Sequence, residues 1–86
     1  YQPGDIQALA DYVGDSYYLS EKARDCKEDT IMFCGVRFMA ESAKILSPQK
    51  KVLMPCPSAG CAMADMASSK AVVEMKEKYP EAFVVI

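Results

Sequence analysis

Two short apolar runs, TIMFC at residues 30–34 and VLMP at residues 52–55, constrain this chain more than any other feature. Each is rich in residues suited to extended backbone, and the first ends on Gly35, after which the apolar spacing changes at once. Val36, Met39, Ala40, Ala43 and Leu46 recur at the three-to-four-residue interval of a helix,. A continuous apolar run followed by an amphipathic helix and a second run is the pattern of parallel strands buried on both faces and joined by a crossover helix. The methionines of these segments, and Cys34 at the end of the first run, are therefore expected in the core.

The flanks extend the alternation. PGDIQALADYVG, residues 3–14, has Pro3 and Asp5 in a first turn and Ile6, Leu9, Ala10 and Val13 on one face, with Gly14 as the stop,. Asp15 or Ser16 can cap a second helix reaching about Cys26, which is expected to be a helix-end thiol without a role. SSKAVVEMKEKYP predicts a helix with Val72, Met75 and Tyr79 on one face, ended by Pro80, and residues 82–86 read as a third strand,. The expectation is thus an α/β fold, a three-layer parallel sheet flanked by helices. The opening helix has no strand before it, so residues 1–86 are read as a single α/β domain fragment whose initial strand is missing.

Composition narrows the function. The formal net charge is −2 and the basic residues are scattered, which gives no phosphate-tracking stripe for nucleic acid,. No apolar run approaches bilayer length and no signal-peptide pattern is present, so neither a membrane nor export is expected and the chain is placed in the cytoplasm. In that reducing setting the four cysteines are expected as free thiols or metal ligands rather than disulfides,. The absence of histidine removes His-based catalysis and His-ligated zinc from this segment,.

Functional loops of parallel α/β sheets gather at the carboxyl ends of strands. Three stretches fall there: Tyr1-Gln2, CGVRFMAE from Cys34 to Glu41, and PCPSAGC from Pro55 to Cys61. Cys61 precedes AMADM, which reads as the first turn of a short helix with Ser58 near its cap, a setting that stabilises a thiolate; a small buried residue at a tight turn is the alternative. The four-residue gap between Cys56 and Cys61 matches neither the redox pair of thioredoxin-like proteins nor the ligand spacing of zinc ribbons. Three readings stand on the residues alone: a metal-bearing enzyme part, a small stand-alone binding module with structural cysteines, and a thiol redox protein using Cys56 and Cys61.

YQPGDIQALADYVGDS, FCGVRFMAESAKILSPQKKVLMP and AGCAMADM, in this order, closely resemble the first part of the quinolinate synthase family of NAD biosynthesis. The resemblance runs essentially end to end. It implies three similar α/β domains around a pseudo-threefold axis, each giving one cysteine to a single [4Fe-4S] cluster with one open iron. The matching ligand here is Cys61. The implied reaction, a transferase step, condenses iminoaspartate with dihydroxyacetone phosphate to quinolinate, with an aspartate oxidase as the imine supplier and the other two domains of the chain as structural partners. Tyr1 matches an active-site tyrosine at the cavity mouth, catalytic and substrate-binding, and Ser16 matches a serine that hydrogen-bonds substrate. Arg37 stands where the family often has histidine, and Cys56 where it has an acidic or amide residue; the latter raises a Cys56–Cys61 disulfide when the cluster is lost.

Overall fold

The computed structural model describes residues 2–85. Helix α1 spans Gly4–Leu9, α2 Ser16–Asp25, strand β1 Thr30–Met32, α3 Arg37–Leu46, strand β2 Lys51–Leu53 and α4 Ser69–Lys78, with a 3-10 turn at Ala64–Met66 before α4. β1 and β2 pair in parallel, Thr30 opposite Lys51, Ile31 opposite Val52 and Met32 opposite Leu53. The α/β character expected from the sequence is present, as a two-stranded parallel sheet with helices.

The core lies where α2 packs on α3 and α3 on β2. Ala23, Phe33, Ala40 and Ala43 are its buried residues, with Leu19, Ile31, Met39, Val52 and Met54 packed around them. Alanines at 40 and 43 remove bulk from one face of α3 and let α2 approach closely. Phe33 fills the resulting space, and its ring passes under Gly35, where an added Cβ would stand 3.2 Å from Phe33 Cε1. Glycine at the hand-over from strand to helix is thus favoured by close approach rather than by an unusual backbone angle,.

Helix ends are satisfied locally. The Asp15 side chain accepts from the Tyr18 amide at 2.9 Å and caps α2, so Ser16 is the first helical residue and not the cap,. The far end of α2 is closed by Lys50, whose ammonium donates to the carbonyls of Ala23 at 2.7 Å and Cys26 at 2.6 Å. A cation on two carbonyls left without backbone partners at the negative end of a helix offsets the cost of its own burial. Ser68 caps α4 by accepting from the Ala71 amide at 3.1 Å.

Four expectations need correction. Helix α1 ends at Leu9 rather than near Gly14: none of its residues is buried and Leu9 is 84% exposed, so nothing beyond weak local propensity extends it,. Instead, Gly14 makes room for the Tyr18 ring, which a Cβ there would strike. The strands are covered on one face only, since Ile31 and Phe33 point inward while Met32 and Cys34 face out, and Cys34 is an exposed thiol rather than core. Residues 82–85 form no strand, because the described residues offer them no pairing partner and leave Phe83 92% exposed,. With two strands and α4 away from the sheet, the described residues do not build three layers, and the Cα radius of gyration is 15.6 Å. A compact domain of this length would have about 12 Å.

Candidate functional site

The chain leaving β2 folds back as a loop before the 3-10 turn. Its first bend is closed by the Ala59 amide donating to the Cys56 carbonyl at 3.1 Å, a four-residue turn with Pro57 at its second position, where proline is favoured,. The Ala59 carbonyl then accepts from the Arg37 amide at 2.8 Å, which ties the loop to the start of α3. Past Gly60, the Asp65 amide donates to the Cys61 carbonyl at 2.9 Å. These bonds leave a cleft of about 350 Å³ between the first turn of α3 (Arg37, Phe38, Glu41) and the loop residues that end in Cys61 and Asp65. It sits at the carboxyl edge of the sheet, as open parallel sheets require.

Cys61 is half-buried in the wall of this cleft. It does not stand at a helix start: the turn that follows is three residues long and its N-cap is Met63, so the dipole of a multi-turn helix is not available to it,. Ser58 is likewise not a cap there. Its hydroxyl lies 3.4 Å from Cys56 Sγ. That hydroxyl first, and the Ser58 and Ala59 backbone amides after it, hold the exposed Cys56 thiol below the ordinary cysteine range,. The thiolate-favouring setting expected at Cys61 is therefore found five residues earlier, in the C-P-S-A turn, and the visible signal was a hydroxyl two residues beyond the cysteine.

A pH dependence follows. Because the thiolate is the form that attacks, and the Cys56 value is depressed, its alkylation is expected to stay fast at a pH where a peptide cysteine has already slowed, and to fall only as pH drops through the lower value. Ser58→Ala removes the hydroxyl that does most to favour the thiolate and is expected to shift the rate profile of Cys56 to higher pH. Site-resolved alkylation followed by mass spectrometry checks this, and an unmoved profile would contradict it.

Charge in the cleft is mixed. Arg37 Nε donates to Glu41 Oε1 at 2.8 Å across one helical turn, and the Asp65 carboxylate lies against Gly60, where a Cβ would come within 3.3 Å of Oδ2. Glu41 and Asp65 were not singled out in the sequence, although each stands four residues from a residue that was, Arg37 and Cys61. Ser16 does not line this cleft. Tyr1 lies outside the described residues.

All four cysteines are free thiols. Among the described residues no three His, Cys, Asp or Glu side chains cluster closely enough to hold a metal ion. The residues present fit one ligand position of a polynuclear iron site, a soft sulfur on an accessible cleft wall, and do not build such a site on their own. No helix among the described residues is long and apolar enough to cross a membrane.

The Quinolinate synthetase A protein family matches the chain over residues 1–86. The chain is 68% identical over 85 residues to a quinolinate synthase of Clostridioides difficile strain 630, covering 99% of this chain and 28% of that protein. It is 61% identical over 85 residues to one of Clostridium perfringens strain SM101 and 59% identical over 85 residues to one of Caldicellulosiruptor saccharolyticus, again covering 99% of this chain and 28% of each relative. The chain thus spans about 28% of the length of these curated relatives.

Proposed function

The chain belongs to the quinolinate synthetase A family, and on that premise we propose that it is the first of three α/β domains of a quinolinate synthase, which joins iminoaspartate to dihydroxyacetone phosphate in NAD biosynthesis. The observation that carries this reading is Cys61: a half-buried sulfur on the wall of a cleft at the carboxyl edge of a parallel sheet, in the AGC motif that the family resemblance assigns to a ligand. Among the described residues no three His, Cys, Asp or Glu side chains group into a metal site, which suits a chain contributing one ligand while other domains contribute the rest.

When bound, a [4Fe-4S] cluster held by three cysteines supplies an iron with an open position, a Lewis acid suited to the dehydrations of ring closure. The chain's own residues do the remaining work. Cys61 anchors, and its loop is held in place by the Arg37 amide on the Ala59 carbonyl. Ser16, freed from capping by Asp15, offers its hydroxyl to a substrate carboxylate or phosphate. Tyr1 takes the part of the active-site tyrosine to which the resemblance matches it. A cytoplasmic setting and an aspartate oxidase as source of the imine belong to the same reading.

Anaerobic reconstitution of the full-length protein, followed by iron, sulfide and quinolinate assays, tests it. Iron and sulfide bound together with quinolinate formed is the expected result; a full-length protein that takes up no iron and forms no quinolinate would overturn it. Ser16→Ala and Tyr1→Phe are expected to lower turnover by roughly ten-fold or more at normal iron content, the effect of losing one substrate hydrogen bond. If either variant loses iron instead, that residue is structural.

A further inference from the structure

Lys50 and Cys26 meet at the amino ends of the two strands, on the edge of the sheet opposite the Cys61 cleft. Lys50 is 6% exposed, and its Nζ lies 2.7 Å from the Ala23 carbonyl, 2.6 Å from the Cys26 carbonyl and 3.3 Å from Cys26 Sγ. The two carbonyls alone close the end of α2. The third contact sets a primary amine nitrogen against a sulfur that comes from 24 residues away in sequence. Two short bonds pin the nitrogen, and the Cys26 thiol is itself fixed by donating to the Ala23 carbonyl at 3.3 Å. Cys26 is half-buried rather than sealed in the core. Cys34 and Cys56 are exposed, and the hydrogen bond that the Cys56 sulfur makes is to the Ser58 hydroxyl, not to an amine.

We infer that Cys26 and Lys50 form an oxidant-sensitive pair in which a hydroperoxide converts the thiol to a sulfenic acid and the Lys50 amine captures it as a nitrogen–sulfur bond. In the first step the sulfur attacks the peroxide, the O–O bond breaks, one oxygen stays on sulfur, and the other leaves as water or alcohol. In the second step the Lys50 ammonium gives one proton to solvent, its nitrogen forms a bond to sulfur, the S–O bond breaks, and the departing hydroxide takes a second proton from the nitrogen and leaves as water. With hydrogen peroxide, one thiol, one amine and one peroxide yield one sulfenamide and two waters; sulfur is oxidised by two electrons and the peroxide is reduced. Sulfenic acids condense with nitrogen nucleophiles in this way, and an amine already at 3.3 Å replaces a bimolecular encounter by an intramolecular one,. The product ties the end of α2 covalently to the start of β2, where an ammonium now holds them by hydrogen bonds. A thiol reductant attacks the sulfur and releases the amine, and a second thiol resolves the resulting mixed disulfide, which restores both side chains.

The test uses the full-length protein, reduced, stripped of iron, treated with a stoichiometric amount of hydrogen peroxide, alkylated and digested. The expected result is loss of Cys26 alkylation and a joined peptide pair carrying Cys26 and Lys50, two hydrogens lighter than the separate peptides, which separates again on treatment with a thiol reductant. Lys50→Arg keeps a cation on the carbonyls but lacks the primary amine, and is expected to lose the joined peptide. Should that variant not fold, the wild-type peptide map decides alone. Cys26 still alkylated after treatment, found in a disulfide, or driven to sulfinic acid with Lys50 unmodified would each overturn the proposal.

Discussion

Cys61→Ser in the full-length protein is expected to abolish both bound iron–sulfur absorbance and quinolinate formation, whereas Cys56→Ser is expected to leave iron content within measurement error of wild type. Oxygen for sulfur is nearly isosteric, so the loop bonds from Ala59 to Cys56 and from Asp65 to Cys61, all made by backbone atoms, survive the change. What is lost is a soft ligand, and an alkoxide is a poor substitute at a thiolate iron site. Cys56 is the discriminating control because it has the depressed thiol and lies in the same loop. If thiolate character decided which cysteine binds, Cys56→Ser would be the damaging change. Iron analysis and visible absorbance of the two variants, prepared side by side without oxygen, separate the cases.

The second large effect is on stability. Phe33→Ala is expected to cost about 3–5 kcal/mol, the usual range for deleting a buried aromatic side chain. Phe33 is 5% exposed and is the one large side chain among the buried core residues, the others being alanines. Its removal empties the space that the alanines of α3 leave open, and the strand backbone cannot collapse into it, because the Phe33 amide is held to the Leu53 carbonyl at 2.7 Å. Phe33→Leu retains much of the volume and is expected to cost about 1 kcal/mol. Urea unfolding at unchanged slope measures both, and a loss below 1 kcal/mol for Phe33→Ala would mean that this ring is not the keystone of the α2–α3–sheet contact.

The two central elements were legible because each carried redundant signals. Helix α3 had apolar spacing, an entry glycine and an apolar run on either side, and it forms within one residue of the expected start. The Cys61 loop was placed correctly at the carboxyl edge because that follows from strand–helix–strand order alone. Where the reading failed, the missing information was long-range. An apolar run such as TIMFC does not say how many of its faces will be covered; here α2 and α3 cover one, so Cys34 turns outward. Residues 82–85 have the composition of a strand, yet a strand exists only where another offers its hydrogen bonds. Helix α1 has the right period but no surface to bury it against. Lys50 reads as one of several scattered lysines, and only the fold reveals it beneath the end of α2, touching a cysteine. The Cys56 thiol was shifted by a hydroxyl two residues away, a contact that the Pro57 turn creates and spacing conceals.

Site-resolved alkylation of the reconstituted, iron-loaded full-length protein tests the role of Cys61 most directly. The Cys61 sulfur is expected to be protected from reagent while iron is bound, with exposed Cys56 modified in the same sample, and to become reactive once a chelator has stripped the iron. Stoichiometric modification of Cys61 with the iron and sulfide content unchanged would contradict the assignment.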